Sequence, residues 1–143
     1  LYQSKNFSEV LFGEYLKSMT DELCVVYNVR DRVEVEYKLD NVLIGIDKAI
    51  PCGLLVNELI TNALKYAFPD GNSGTITMHL HGSGEDVTLC IRDNGIGLPD
   101  SVDPKENKTL GLQLVNILSD QIDAKLDINT ASGTSFTLNF KAH

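Results

Sequence analysis

The residues whose types and spacing are best suited to chemistry lie within one helical pattern of this 143-residue sequence. Glu58, Asn62 and Lys65 are four and three residues apart, so at about 100° per residue they project within a wedge of about 60°. The residues on the far side of the same pattern are apolar: Val56, Leu59, Ile60, Ala63 and Ala67. An amide oxygen near a carboxylate is a suitable hard-oxygen ligand for Mg²⁺. The alternative interpretation is a solvated helix face that carries a glutamate, an asparagine and a lysine.

A glycine-rich segment follows a predicted strand at 93–97, where the sequence reads Asp-Asn-Gly-Ile-Gly. Asn-Gly is typical of a tight hairpin, but a hairpin requires a returning strand directly afterwards. Residues 98–104 contain two prolines, which lack the N–H groups that a strand donates, so the hairpin interpretation is rejected. Gly95 and Gly97 instead allow a flat ligand to approach the backbone closely. Asp93 could then accept a hydrogen bond from an exocyclic amine.

Two further glycines lie at the starts of predicted elements. Residues 108–112 begin a helix, and the N–H groups at a helix start, together with the small residue Gly111, can form a seat for phosphate. The alternative is an ordinary helix start that tolerates glycine. Gly133 and Thr134 make a weaker case, since a glycine followed by alternating strand residues is typical of a hairpin.

The spacing of apolar residues predicts three helices and six strands around these segments. The helices are predicted at 7–27, 47–68 and 110–122. The strands are predicted at 32–39, 42–46, 75–81, 86–92, 125–129 and 134–140, with a loop at 94–109. Because the strands come in pairs between helices, we expect an α+β two-layer sandwich, in which a mixed, largely antiparallel sheet has helices packed on one face.

Composition and charge exclude several classes of protein. Twelve Lys and Arg residues against 20 Asp and Glu residues give a net charge of −8. We therefore expect neither a nucleic acid nor a membrane surface as partner. No apolar run approaches the roughly 20 residues that a membrane span requires. The three cysteines lack CxxC spacing and are expected to be reduced thiols of a cytoplasmic protein.

The length of the chain fits one compact domain. We expect residues 9–143 to form this domain and residues 1–8 to be the tail of a preceding linker or helix. Since the chain begins with Leu rather than Met, we also expect it to be a piece of a longer protein.

Together these segments resemble the ATP-binding domain of the gyrase, chaperone, histidine kinase and mismatch repair superfamily, which has the Bergerat fold. Residues 54–68 are similar to the asparagine box of a sensor histidine kinase, and residues 93–97 match the glycine motif that follows it. Residues 1–4 and 15–18 resemble the subgroup whose dimerisation domain is of the second histidine kinase type. The resemblance covers nearly all of the chain.

The resemblance implies a set of residues around the phosphates of ATP. Asn62 would coordinate the Mg²⁺ ion that bridges these phosphates, and Lys65 would contact phosphate. Gly111 would seat phosphates at the start of the third helix, with Lys108 and Leu112 beside it. Mg²⁺ and the lysines would also offset the repulsion between ATP and a domain of net charge −8.

The resemblance also implies a set of residues around the adenine. Asp93 would recognise the adenine amine, and Gly95 and Gly97 would shape the wall of the pocket. Tyr66 would line the pocket near the adenine or the ribose. Thr134 would assist at the adenine through hydroxyl or water contacts.

Glu58 occupies a position at which many histidine kinases have Asn, whereas ATP hydrolases of the superfamily have a Glu that activates water. It is therefore a candidate general base, either for the acceptor imidazole or for water. Residues 99–109 would form the lid that closes over ATP.

The function implied by the resemblance is transfer of the γ-phosphoryl group of ATP to a histidine. That histidine would lie on a dimerisation domain absent from this chain, with a response regulator downstream. The chain itself contains only His79, His81 and His143, none of which suits the role of acceptor. Two alternatives stay open: an anti-sigma-type serine kinase or ATP hydrolase on the same fold, and a non-catalytic interaction module.

Overall fold

The computed structural model describes residues 9–68, 71–96 and 110–143. Its helices are α1 (Phe12–Val26), α2 (Ile46–Asn62) and α3 (Leu110–Gln121), and α2 continues into a π-helical segment, Ala63–Ala67. Its strands are β1 (Glu9–Leu11), β2 (Val33–Leu39), β3 (Leu43–Gly45), β4 (Gly74–Ser83), β5 (Asp86–Asp93), β6 (Lys125–Asn129) and β7 (Thr134–Lys141). None of the helices in these ranges is both long and apolar enough to cross a membrane.

Five strands form one sheet in the order β2-β4-β5-β7-β6. β2 runs parallel to β4, and all other neighbours in this sheet are antiparallel. Along β4, Ile76, Met78 and Leu80 are buried whereas His79 and His81 are exposed, so one face of the sheet is covered and the other is open to solvent. The predicted α+β sandwich with a mixed, largely antiparallel sheet is confirmed.

Helix α2 lies between the other two helices. On one side it contacts α1, since a Cβ atom on Gly53 would lie 2.7 Å from the hydroxyl oxygen of Tyr15. On the other side Lys48 Nζ donates a hydrogen bond of 3.0 Å to the carbonyl oxygen of Ile122, just beyond α3. The apolar side of α2 is buried in the core: Ala49, Cys52, Leu55, Val56, Leu59 and Ile60. Burying a side chain such as Leu or Ile contributes about 1.5–3 kcal/mol to the free energy of folding. The core therefore fixes the position of α2 and of its polar residues Glu58 and Asn62.

The first helix begins at Phe12 rather than at residue 7, which corrects the prediction. Val10 and Leu11 belong instead to β1, which pairs with β3 in a separate two-stranded antiparallel sheet. The N–H of Phe12 then donates to the carbonyl oxygen of Val42 at 2.9 Å. Pairing with a strand far along the chain overrides the local helical spacing, because helix propensity is only a weak preference.

The second predicted helix, 47–68, is also corrected by the structure. Its α-helical part ends at Asn62, and Ala63–Ala67 form a π-helical turn. The rotation of about 100° per residue that placed Lys65 beside Asn62 therefore does not apply beyond Asn62. Single π-helical turns are rare and are frequently found at functional sites.

The C-terminal residues join the small sheet to the large one. Ala142 accepts a hydrogen bond from the N–H of Gly45 at 2.9 Å and donates one to the carbonyl oxygen of Glu85 at 2.8 Å. The ring of His143 lies between two carboxylates, with Nε2 2.6 Å from Glu9 and Nδ1 3.1 Å from Glu85. β1 is thus tied to the turn between β4 and β5.

Candidate functional site

Asp93 lies at the end of β5 and is 7% exposed. Its carboxylate accepts hydrogen bonds from the backbone N–H of Gly95, at 3.0 Å, and from the backbone N–H of Thr134, its partner residue in β7. Burial raises the pKa of the Asp93 carboxyl, and the two hydrogen bonds oppose that rise. Since an ionised carboxylate offers about four acceptor positions, it can accept a further donor.

The backbone after β5 is in close contact with the π-helical segment. A Cβ atom on Gly95 would lie 2.2 Å from the carbonyl oxygen of Ala67, a distance that no side chain tolerates. The N–H of Ile96 donates to the same oxygen at 3.0 Å. Glycine is therefore required at position 95, where it brings the end of β5 against the end of the π-helical segment. Gly97, the other glycine of this motif, lies outside the described residues.

Gly133, for which the sequence makes only a weak case, and Asn94, to which it assigns no role, hold Asp93 in place. Gly133 has a φ of +81°, and a Cβ atom there would lie 2.1 Å from the Asp93 carbonyl oxygen, so only glycine lets β7 begin so close. The Asn94 side-chain oxygen accepts the N–H of Thr75 at 2.8 Å and holds the end of β5 against the start of β4. A glycine before a strand and an Asn-Gly pair are visible signals, but both are equally typical of a hairpin.

The polar side chains of Glu58 and Asn62 on α2 face the start of α3. Glu58 and Asn62 are half-buried, and a Cβ atom on Gly111 would lie 3.0 Å from Glu58 Oε1 and 3.1 Å from Asn62 Nδ2. Gly111 is in the first turn of α3, at the end of a helix where the dipole favours an anion. The structure therefore brings together three of the predicted site residues, Glu58, Asn62 and Gly111.

The other predicted site residues are not part of this cluster of Glu58, Asn62 and Gly111. Lys65 and Tyr66 lie on the π-helical segment with exposed side chains, between the wedge of α2 and the end of β5. Leu112 is buried in the first turn of α3. Lys108 and the predicted lid, 99–109, lie outside the described residues.

The two groups of residues flank the same short segment, Ala63–Ala67. Beyond one end of it lie amide and carboxylate oxygens, which suit a hard cation, and a helix start that favours an anion. At the other end lies a buried carboxylate that can accept an amine N–H. This arrangement suits a ligand with an amine-bearing ring at one end and phosphate groups at the other.

A comparison with known families agrees with this chemistry. The family described as histidine kinase-, DNA gyrase B-, and HSP90-like ATPase matches residues 47–143, which is more than half of the chain. The chain belongs to this ATPase family. Membership implies ATP as the ligand.

Two relatives of this ATPase domain are named histidine kinases, and a third, 23% identical over 105 residues, is named an anti-sigma F factor. Blue-light-activated histidine kinase 2 of Erythrobacter litoralis is 33% identical over 111 residues, which cover 77% of this chain and 32% of that protein. The sensor histidine kinase PdtaS of Mycobacterium tuberculosis is 26% identical over 122 residues, which cover 81% of this chain and 24% of that protein. The chain thus spans about a third or less of the length of these two relatives.

The fold of the ATPase domain is also found in solved histidine kinase structures. The histidine kinase domain of a blue-light activated kinase from Erythrobacter litoralis superposes with a TM-score of 0.85 at 28% identity, covering 93% of this chain and 62% of that chain. This likeness confirms the predicted Bergerat fold.

Proposed function

We propose that this ATPase domain is the Mg-ATP-binding catalytic domain of a sensor histidine kinase. The observation that carries the proposal is the closeness of Gly111 to the side chains of Glu58 and Asn62, because it puts a helix start that favours anions beside a carboxylate and an amide, groups whose oxygens suit Mg²⁺. The names of the relatives favour histidine as the acceptor. The partners are a histidine-containing dimerisation domain and, downstream, a response regulator.

The phosphate groups of ATP lie at the start of α3 in this proposal. Asn62 holds Mg²⁺ through its amide oxygen, and the ion when bound neutralises charge on the phosphates. The exposed Lys65 contacts phosphate, and the first turn of α3, with Gly111 and Leu112, seats the phosphate oxygens. Lys108 adds a further positive charge.

The adenine lies at the end of β5 in this proposal. The Asp93 carboxylate, already fixed by two backbone N–H groups, accepts the exocyclic amine of the base. Gly95 shapes the wall of the pocket by holding the end of β5 against the π-helical segment, and the Thr134 hydroxyl assists at the base through direct or water contacts. The exposed ring of Tyr66 lines the pocket near the ribose.

Glu58 is the proposed general base. A nitrogen of the acceptor imidazole forms a bond to the γ-phosphorus as the bond from phosphorus to ADP breaks. Glu58 takes up the proton that the imidazole releases. Its place beside Gly111 keeps this carboxylate at the phosphate end of the nucleotide.

The test uses the full-length protein and ATP labelled at the γ-phosphate. We expect acid-labile, base-stable label on the protein, as for phosphohistidine. Glu58→Gln should keep Mg-ATP affinity within about threefold and lower the rate of labelling by about 100-fold or more. Acid-stable phosphoserine, release of free phosphate without labelling, or no binding of Mg-ATP at millimolar concentration would each contradict the proposal.

A further inference from the structure

Arg32, directly before β2, binds the backbone just beyond the π-helical segment. Its Nη1 atom donates a hydrogen bond of 3.2 Å to the carbonyl oxygen of Phe68 and one of 3.0 Å to the carbonyl oxygen of Asn72. The carbonyl oxygen of Arg32 in turn accepts the N–H of Gly74 at 2.9 Å. One residue therefore fixes three backbone groups between the end of the π-helical segment and the start of β4.

The last carbonyl groups of a helix lack partners within the helix and carry partial negative charge. At the end of the π-helical segment, two of them find partners in other parts of the chain. The Ala67 oxygen accepts the N–H of Ile96, and the Phe68 oxygen accepts the guanidinium of Arg32. Hydrogen bonds from a charged donor are about twice as strong as those from a neutral one. Arg32 is thus a firm anchor for this helix end.

The side chain of Phe68 is held as closely as its carbonyl group. It is buried, and a Cβ atom on Gly74 would overlap the Phe68 ring and lie 2.8 Å from Asn94 Oδ1. The same Asn94 oxygen accepts the N–H of Thr75 and joins the start of β4 to the end of β5. Because protein interiors are close-packed, a shift of the Phe68 backbone would be transmitted to its neighbours.

We propose that Arg32 is a positioning residue for adenine binding, an inference that rests on the proposed function. It acts through the backbone rather than by contact with the nucleotide. Its hydrogen bond to Phe68 fixes the chain next to Ala67, whose carbonyl oxygen lies against Gly95. The N–H of Gly95 then donates to the Asp93 carboxylate. Arg32 thereby holds the wall of the pocket that the base occupies.

Loss of Arg32 should affect the two ends of the site unequally. The closeness of Gly111 to Glu58 and Asn62 lies before the π-helical segment, whereas Arg32 acts beyond its end. Binding of the base should therefore weaken while binding of the phosphates is kept.

The test compares two ligands in the full-length protein by calorimetric titration. Arg32→Met removes the charge and the donors but keeps an unbranched side chain. Its affinity for Mg-ATP should fall by about tenfold, and its affinity for inorganic triphosphate with Mg²⁺ should stay within about twofold. Equal losses for both ligands, or no loss for either, would overturn the inference. Failure of the wild-type protein to bind Mg-ATP would instead contradict the proposed function.

Arg32→Lys provides a graded second variant. Lysine keeps the positive charge but replaces the planar guanidinium with a single ammonium group. The ratio of ATP affinity to triphosphate affinity should therefore fall by only about threefold. This variant carries the test if Arg32→Met does not fold, and an unchanged ratio would contradict the inference.

Lys48→Met is the matched control for a general loss of stability. Lys48 is also a cation that donates to a backbone carbonyl group, that of Ile122 at 3.0 Å, and it lies near the other end of α2. Both methionine variants should lower the unfolding midpoint by several degrees, because each leaves a carbonyl group without its charged donor. Only Arg32→Met should change the ratio of ATP affinity to triphosphate affinity. The same change in Lys48→Met would assign the effect to stability alone and overturn the inference.

Discussion

The two ends of the candidate site are built differently. At the base end, Asp93, Gly95 and Thr134 are held by backbone hydrogen bonds at the edge of a paired strand. At the phosphate end, Glu58 and Asn62 are side chains on a helix, and neither forms a hydrogen bond with another of the described residues. The proposed base end is therefore shaped by the fold itself, whereas the proposed phosphate end consists of side chains that the described part of the chain does not hold in place.

This difference indicates how each end responds to change. Groups fixed by backbone contacts such as the one between Gly95 and Ala67 cannot be altered without moving the strand or the π-helical segment. Half-buried side chains such as Asn62 can be replaced at little cost to the fold. Substitutions at the phosphate end should thus act on binding alone, and those that crowd the base end should act on binding and stability together.

The largest effect is expected from Asn62→Ala, which removes the amide oxygen proposed for Mg²⁺. Affinity for Mg-ATP should fall by about 100-fold, or about 3 kcal/mol, with the unfolding midpoint unchanged. Calorimetric titration of ATP with and without Mg²⁺ measures this loss of affinity. The matched control is Asn57→Ala, one turn earlier on α2, which should bind normally. Unchanged affinity of Asn62→Ala would break the assignment of the phosphate end.

A smaller and more selective loss is expected from Asp93→Asn. Affinity for ATP should fall by about 30-fold, or about 2 kcal/mol, because the ionised acceptor of the adenine amine is lost. Affinity for inorganic triphosphate with Mg²⁺ should stay the same. Asp86→Asn, at the exposed beginning of β5, serves as control. Equal losses for both ligands would contradict adenine recognition by Asp93.

The pH dependence of ATP binding sharpens this prediction. Burial raises the pKa of Asp93 above the ordinary value of 3.8, and the protonated carboxyl is a poorer acceptor. As the pH falls, the wild-type protein should lose ATP affinity at a higher pH than an ordinary Asp would give. The difference in affinity between the wild-type protein and Asp93→Asn should shrink over the same range, and a constant difference would count against this role.

Gly95→Ala tests whether the fold shapes the base end. The added Cβ atom would meet the carbonyl oxygen of Ala67 at 2.2 Å, so we expect a loss of about 1.5 kcal/mol in the free energy of unfolding. ATP affinity should fall by about tenfold. Gly84→Ala is the control, because its position has open space and a φ of +61°, so backbone strain is its only cost. Urea denaturation measures the free energy of unfolding of the two variants. Wild-type stability and ATP affinity of Gly95→Ala would show that the contact between residue 95 and Ala67 is unimportant.

The smallest effect is expected from His143→Gln, which lies outside both ends of the site. Hydrogen bonds to Glu9 and Glu85 raise the pKa of His143. Its contribution to stability is therefore fully present below about pH 6.5 and is lost as the pH rises through the raised pKa. Because these groups are exposed, a few tenths of a kcal/mol is expected. Thermal unfolding should separate the variant from the wild-type protein at pH 5.5 and not at pH 9, with ATP affinity unchanged at both.

Much of the fold could be predicted from the sequence because long apolar patterns and clear breaks define α2, α3 and the strands of the large sheet. The first helix was placed too early, since Val10 pairs with Ile44 of β3 and local spacing carries no information about that strand. The π-helical turn was missed for a similar reason. Its last carbonyl group, on Ala67, bonds to the N–H of Ile96, which lies in another part of the chain.

The candidate site was predicted in part for the same physical reason. The four-residue spacing of Glu58 and Asn62 predicts that they share one face of α2, because both lie within a single helix. Their contact with Gly111 depends on how α3 packs against α2, which the sequence pattern does not specify. The support that Gly133 gives to Asp93 likewise depends on the pairing of β5 with β7.

The most direct test of the account is an NMR titration of the isotope-labelled chain with Mg²⁺ and a non-hydrolysable ATP analogue. The amide shifts should change most at Gly95 and Thr134, where the base binds, and at Gly111, where the phosphates bind. The amides of Arg30 and Asp31, which lie in an open polar depression, should not respond. Shift changes confined to that depression, with Gly95 and Gly111 unmoved, would contradict a nucleotide bound between α2 and the end of β5.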